Sequence, residues 1–584
     1  MGIDPKYLTF DELLQKRLFE IPDFQRTYSW TSKQRRDIFN DITKLYNFED
    51  YNKGTRNHFM ATVVCCTKHK VEEFETSIYN VLDIVDGQQR ITTLIILLKA
   101  ISLKLSEQKN PKYNKTIMNL DELLVKDEDS RLILIQTNHS SALILREYLI
   151  SGKHPKENGI KTHASANLVQ AFVESENFVD EWAENKPILD LLILLKNRIN
   201  FILHILDDEG SVYTVFEVLN SRGLDVDWLD KCKSMLMGVA FEKLKPRSEK
   251  MFEEHLEWLH KYWASIYECI GINDIDGTEI VRFAATLYNP HIQSRLFKAE
   301  DAIEYFRTIC NAEPEKVLMV SKWLLDVAQE LESVSSNARL TAVTEIIHAR
   351  LVAVSVNLSE HFSDEERIKI LRQWENVTFK IFGLFQKDSR NKVREYTNLA
   401  HFIMGIHDNK IYVDKDGRVK EVIKKLIAIG EDFSMKAMIK ELAEKDCYKG
   451  WQKELTYFFF KYEVFLAKEK GYEFPDKLWE TIWVSSASDT IEHIYPQVES
   501  TPWDGKITRR KEYHANRIGN LLILPRKLNS KCGNLGFADK KGIYEDCQML
   551  STKEIVKNAD WNIHTIEERT QKLLEWASKE WNHV

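Results

Sequence analysis

Chain breakers are scarce: 12 prolines and 21 glycines in 584 residues, so helices should dominate. The eight cysteines (Cys65, Cys66, Cys232, Cys269, Cys310, Cys447, Cys532, Cys547) contain no Cys-x-x-Cys pair, so a structural zinc ribbon is not expected. Scattered thiols and the want of a secretory leader fit a reducing cytoplasm. No apolar run reaches the length of a membrane span; Leu189 to Leu206 is broken by Lys196, Arg198 and Asn200. Basic residues are not in excess, 81 against 89 acidic, for a net charge of −8. That balance argues against indiscriminate coating of nucleic acid and leaves contact to local patches. Internal repeats and low-complexity tracts are also missing.

What is present is a well-packed composition, 43% hydrophobic and 11% aromatic, in a chain too long for one core. Two to four domains follow. Residues 1 to about 110 mix short strands with helices, and 107 to 165 are polar and broken, which predicts surface excursions. Asn167–Glu184 and Leu189–Leu195 read as helices and Phe201–Leu206 as a strand. From Trp228 to about 440 the period is helical, for instance over Met251–Tyr267, Glu315–Glu332, Ala338–Leu358 and Asp364–Phe382. The expected division is 1–240, 241–440 and 441–584. The middle bundle reads either as a lever or dimer surface or as a passive spacer. Its Trp258, Trp263, Trp323, Trp374 and Phe382 are expected in the core.

Near the carboxy terminus stand Ile491-Glu492-His493-Ile494, Gly519-Asn520-Leu521 and Asn529. A histidine preceded by a carboxylate and followed by two asparagines is the residue order of an HNH nuclease site. There the histidine takes a proton from water, while a carboxylate and an amide oxygen hold one hard cation beside a phosphodiester. On that pattern His493 is the general base, Asn520 orients its imidazole, and Glu492 and Asn529 are metal ligands. Oxygen ligands suit Mg²⁺ or Mn²⁺. The expected local fold is a ββα-metal finger. Asp489–Ile494 ends the first strand, Leu521–Leu524 forms the second, and Pro525 opens the helix that carries Asn529. Residues 501–541 hold ten Lys/Arg against three acids, a phosphate-facing surface in which Arg509, Arg510, Lys511, Arg517, Lys527 and Lys531 are candidate DNA contacts. On these residues alone the plain alternative stays open: Glu-His pairs arise by chance, and Asn529 before Ser530 suits a cap or turn.

Three further constellations lie in the first 240 residues. In Asp86-Gly87-Gln88-Gln89-Arg90-Ile91-Thr92-Thr93-Leu94, a β-branched strand (Val81–Val85) meets an apolar helix (Ile91–Leu105) across a tight turn. A helix amino terminus offers unpaired N–H groups to an anion, and Arg90 adds a planar fork for phosphate oxygens. Thr92 and Thr93 add hydroxyls. The alternative is that Asp86 caps the helix and Arg90 pairs with an acid. In Ile21-Pro22-Asp23-Phe24-Gln25-Arg26-Thr27-Tyr28-Ser29-Trp30, arginine beside aromatics suits either nucleotide contact or ordinary packing. In Phe216-Glu217-Val218-Leu219-Asn220-Ser221-Arg222-Gly223, Glu217 and Asn220 share a helix face that could meet Mg²⁺ or a ribose, or simply solvent.

Together and in this order, the four constellations resemble the GmrSD-type modification-dependent (type IV) restriction endonucleases, which include BrxU- and SspE-like phage-defence proteins. Downstream Trp561 and Arg569 also match the family's nuclease half. The resemblance covers about the first 240 and last 140 residues. It implies an α+β, mostly helical multidomain chain with a ParB- or sulfiredoxin-like amino-terminal domain, a helical middle and an HNH nuclease at the carboxy terminus. The first domain would bind and hydrolyse a nucleoside triphosphate (GTP, UTP, CTP or ATP) through Gln25, Arg26, Asp86, Gly87, Gln88, Gln89, Arg90 and Thr92, supported by Glu217 and Asn220. The nuclease would cut double-stranded, modified phage DNA, in a cytoplasmic homodimer away from membranes. The competing readings are a nucleotide-controlled DNA sensor without efficient cleavage and a nickase on unmodified invading DNA.

Overall fold

The computed structural model describes the chain outside residues 1–4, 23–27, 53–56, 75, 128–130, 137–141, 157–162, 208–227, 274, 292–293, 338, 341–342, 344, 406–414, 452, 484, 499, 501–502, 504–505 and 583–584. It divides into two compact units, Met1–Ala285 with Lys298–Gln329, and Thr286–Phe297 with Glu330–Val584.

The first unit is built on a six-stranded mixed sheet. Its strands are β1 (Lys6–Thr9), β2 (Arg17–Ile21), β3 (His58–Phe74), β4 (Ser77–Asp86), β7 (Leu134–Gln136) and β8 (Ile199–Leu206), ordered β1-β8-β3-β4-β2-β7. A separate ribbon pairs β5 (Val125–Asp127) with β6 (Arg131–Leu132). β3 and β4 are antiparallel neighbours, whereas β2 runs parallel to both β4 and β7. Of the unit's first three helices, α1 (Phe10–Leu14), α2 (Ser32–Asn52) and α3 (Gln88–Glu107), the third is buried throughout residues 91 to 102. A helix apolar on every side must be enclosed on every side, and α3 packs on the helices Asn114–Leu124 and His163–Asn185. Its one buried cation, Lys99, meets Asp121 Oδ1 at 3.1 Å.

The stretch 107–165 departs from the expected surface excursion. It contains the helices Asn114–Leu124 and Ala142–Ser151, and Leu120, Leu124, Leu132, Ile133, Leu134, Leu145, Tyr148 and Leu149 enter the core. The polar residues at its two ends mask apolar residues at helical spacing between them. The predicted helices 167–184 and 189–195 and the strand 201–206 lie within His163–Asn185, Ile188–Arg198 and β8.

The second unit is mainly helical. The helix expected from Ala338 begins only at Ile347, because Asn337 takes the Arg339 N–H on its own side chain at 3.0 Å and turns the chain. The helix Asp364–Thr378 starts at a reciprocal cap between Ser363 and Glu366 and continues into a wider turn at Phe379–Leu384. Trp263, in the first unit, and Trp374 are fully buried, but Trp258 is 49% exposed, so not every aromatic of the middle segment is core. All eight cysteines are buried and none forms a disulfide. Among the described residues no helix is long and apolar enough to cross a membrane.

Candidate active site

At the carboxy end, strand β9 (Ile491–His493) pairs antiparallel with β10 (Leu521–Ile523), and the helix Arg526–Cys532 follows with Pro525 at its amino cap. The apolar run 521–524 is wholly buried, which pins the register at Leu521↔His493. A strand, a strand and a helix thus follow in the expected order, but the first strand is shorter than expected, because Asp489 and Thr490 belong to the helix Ala487–Thr490. Asn529 ties the helix Arg526–Cys532 to the short helix Ala487–Thr490 that leads into the first strand: its Nδ2 donates to the Asp489 carbonyl at 2.8 Å. Its Oδ1 accepts nothing among the described residues. An open cleft of about 320 Å³ lies here, lined among others by Tyr448, Asp489, Glu492, His493, Gln497 and Asn529. The carboxylates of Asp489 and Glu492 and the amide oxygen of Asn529 are oxygen donors of the kind a hard cation takes. Among the described residues, no group of three or more His, Cys, Asp or Glu side chains is arranged to hold a metal.

His493 and Glu492 are consecutive on a strand and take different partners. The His493 imidazole lies edge-on to Tyr448, ring centroids 4.4 Å apart, with Nε2 3.2 Å from Asn516 Oδ1. Burial pushes its pKa down to about 4, so at pH 7 it is neutral and able to take a proton. Glu492 Oε1 accepts from Lys540 Nζ at 2.7 Å and Tyr544 Oη at 2.9 Å. Burial pushes this carboxyl up, against the pull of those two donors.

Two sequence expectations change here. Asn520 does not reach the His493 ring. Its Oδ1 accepts from Tyr495 N and Trp561 Nε1, both at 2.9 Å, and its Nδ2 donates to the Tyr495 and Ala515 carbonyls, both at 2.8 Å. All four bonds go to the scaffold around β9 and β10, because the side chain lies inside the turn before β10. The residue at the imidazole is Asn516. Arg517 is also not a surface cation: it is buried, near Glu567 at 3.8 Å and 5.2 Å from the Tyr513 ring. Arg509, Arg510, Lys511, Lys527 and Lys531 are exposed. Trp561 and Arg569 brace the same turn; Arg569 Nη1 donates to the Gly519 and Leu521 carbonyls at 2.7 and 2.6 Å. A Cβ on Gly519 would lie 2.2 Å from the Ile566 carbonyl oxygen, so only glycine fits there. Sequence reasoning missed Asn516, Asp446, Lys540 and Tyr544, which no spacing rule links to the Glu-His pair.

In the first unit, β4 runs into Gly87, at φ 93° with Asp86 Oδ1 accepting its N–H at 2.8 Å, and then directly into α3. The first two amino-terminal motifs meet at this corner. Tyr28 Oη lies 2.8 Å from Thr93 Oγ1, and Ser29 N donates to Gln89 Oε1 at 3.0 Å. The Arg90 guanidinium sits 5.9 Å from the Trp30 ring centre. Gln88 and Gln89 are buried, and Thr92 is 1% exposed. Thr92 is thus enclosed by the core around α3. Gln25, Arg26, Glu217 and Asn220 lie outside the described residues.

The carboxy-terminal cleft thus brings together an imidazole, amide groups and carboxylates. Residues 10–237 match the model of the GmrSD restriction endonuclease N-terminal domain, and residues 432–576 match that of the GmrSD restriction endonuclease C-terminal domain. The chain belongs to the GmrSD-type restriction endonuclease family. Among curated proteins, none matches it.

Proposed function

We propose that the chain is a nucleotide-regulated, modification-dependent DNA endonuclease of the type IV, anti-phage kind, cutting by a one-metal HNH mechanism. Family membership supports a restriction endonuclease role. The observation that carries the chemistry is the convergence of His493, Glu492 and Asn529 on one open cleft. His493 takes the proton from the attacking water. Glu492 and Asn529, with Asp489 beside them, would hold Mg²⁺ or Mn²⁺, which supplies charge for the scissile phosphate. Arg509, Arg510, Lys511, Lys527 and Lys531 hold the duplex by its phosphates. In the amino-terminal, ParB-like domain, the helix start after Gly87, with Arg90 over Trp30, takes the triphosphate. The family resemblance assigns Gln25, Arg26, Glu217 and Asn220, which lie outside the described residues, to the same nucleotide. Turnover gates the nuclease within a cytoplasmic homodimer.

The test is cleavage of plain and modified phage DNA with Mg²⁺ or Mn²⁺, with and without each triphosphate, beside His493→Ala. Cutting confined to modified DNA, lost in the variant with nucleotide hydrolysis kept, is the expected outcome. Full cutting by His493→Ala overturns the assignment of the base. Cutting of plain DNA points to the nickase. Intact nucleotide hydrolysis without any cutting points to the sensor.

A further inference from the structure

Behind the His493 ring stands a chain of hydrogen bonds that the proposed reaction does not by itself require. Asn516 is fully buried. Its Nδ2 donates to Asp446 Oδ2 at 2.9 Å, and its Oδ1 lies 3.2 Å from His493 Nε2. Gln497 Nε2 donates to the same Oδ1 at 3.1 Å. Asp446 is itself fixed, since its other oxygen accepts the Lys449 N–H at 2.9 Å and caps the short helix Cys447–Gly450. An amide can be turned end for end, and its orientation must be argued from its partners. Here the partners decide. A carboxylate accepts and offers no hydrogen, so the end facing Asp446 is the NH₂, and the end facing His493 is the carbonyl oxygen. A carbonyl oxygen accepts only, so the imidazole nitrogen opposite it carries the hydrogen.

We propose that Asn516, held by Asp446, is a positioning residue that fixes His493 as the Nε2-protonated tautomer and leaves Nδ1 as the proton-accepting nitrogen at the cleft. Nδ1 has no hydrogen-bond partner among the described residues, and the edge-on Tyr448 ring limits rotation of the imidazole. The wrong tautomer would present an N–H to the water instead of a lone pair, so the hydrogen-bonded neighbour matters as much as the base. The proposal rests on the nuclease reading of His493, but its first test does not.

That test is solid-state ¹⁵N spectroscopy of the full chain labelled only at histidine, at neutral pH. The His493 signal is found by subtraction against His493→Gln. Nε2 protonated and Nδ1 bare is the expected spectrum, and Asn516→Ala should convert it to a mixture. Nδ1 protonated in the wild-type chain overturns the proposal, whether or not the protein cuts DNA. The second test is single-turnover cleavage of modified phage DNA with Mg²⁺ or Mn²⁺. Asn516→Ala should slow the chemical step by about 10²-fold, at the low end of what a positioned base supplies, with DNA affinity unchanged. Asn516→Asp keeps an acceptor for Nε2 and should recover part of the loss. Asp446→Asn, which retains both side chains in place, should slow the step less than Asn516→Ala. A full rate in Asn516→Ala overturns the positioning role. The expected spectrum in a wild-type chain that cuts nothing supports the tautomer assignment and counts against the endonuclease reading alone.

Discussion

Lys540 is fully buried, with its ammonium 2.7 Å from Glu492 Oε1 and 2.7 Å from the His493 carbonyl oxygen. Removing one partner of such a pair strands a charge away from water, which costs about 3–5 kcal/mol. Lys540→Met should therefore destabilise the carboxy-terminal unit by that order, read from urea unfolding followed by tryptophan fluorescence. Lys540→Met/Glu492→Leu should recover most of the stability and none of the cutting, because Glu492 is needed at the cleft as well as in the core. Recovery of both would remove Glu492 from the chemistry. Asn520 is a scaffold residue of another kind. Truncating it to alanine leaves two buried N–H donors and two carbonyls unpaired, at about 1–3 kcal/mol for each such group. Asn520→Ala should lower stability and metal-dependent cutting together, whereas His493→Ala lowers cutting alone. At this scale the Glu-His pair and Asn529 were legible, because their residue types announce chemistry. The partners Lys540, Tyr544 and Asn516 were not, since nothing in a lysine, tyrosine or asparagine far along the chain reports which carboxylate or imidazole it meets.

The turn between β4 and α3 could be read from the chain because a β-branched run, a glycine and a continuous apolar run follow one another without a gap. The pairing of β9 with β10 was legible for the same reason, an apolar four-residue strand ended by proline. The segment 107–165 was not, because its core contacts depend on where α3 lies. Gly87 offers the sharpest test of an element. Its φ of 93° is left-handed, and a Cβ there would approach Val63 Cγ2 to 3.1 Å. Gly87→Ala should cost about 1–2 kcal/mol from the backbone alone and displace the first turn of α3, where Gln89 holds Ser29 and Arg90 faces Trp30. Gly87→Asn should cost less, since asparagine tolerates this region better. Thermal midpoints and nucleotide hydrolysis of the two variants measure this. Equal stability in glycine and alanine forms would mean that the turn relaxes without strain. Lost hydrolysis at unchanged stability would place Gly87 at the nucleotide itself.

On the scale of the whole molecule, the second unit carries a built-in sensitivity to acid. His348, His401 and His493 all lie in it, each with its pKa pushed from 6.5 down to about 4, burial being the largest cause. His348 is wedged against the rings of Phe382 and Tyr396, with centroids 5.7 and 5.3 Å away, and His401 has no exposed surface. A folded-state pKa below the unfolded value means that the unfolded chain binds the proton more readily. The stability these neutral rings permit is therefore complete above about pH 6.5 and is lost as pH falls towards about 4. Each ring adds a slope of up to about 1.4 kcal/mol per pH unit across that window. The urea midpoint of the second unit, followed by proteolysis at its internal loops, should fall steeply over this range. Replacing His401 by leucine, which has no ring to keep neutral, should flatten the curve. A midpoint that holds from pH 7 to pH 4 would show that the buried rings find proton-sharing partners on acidification. The same experiment bears on the cleft, because His493 is among the three rings: cutting should fail on acidification no later than the fold around it does.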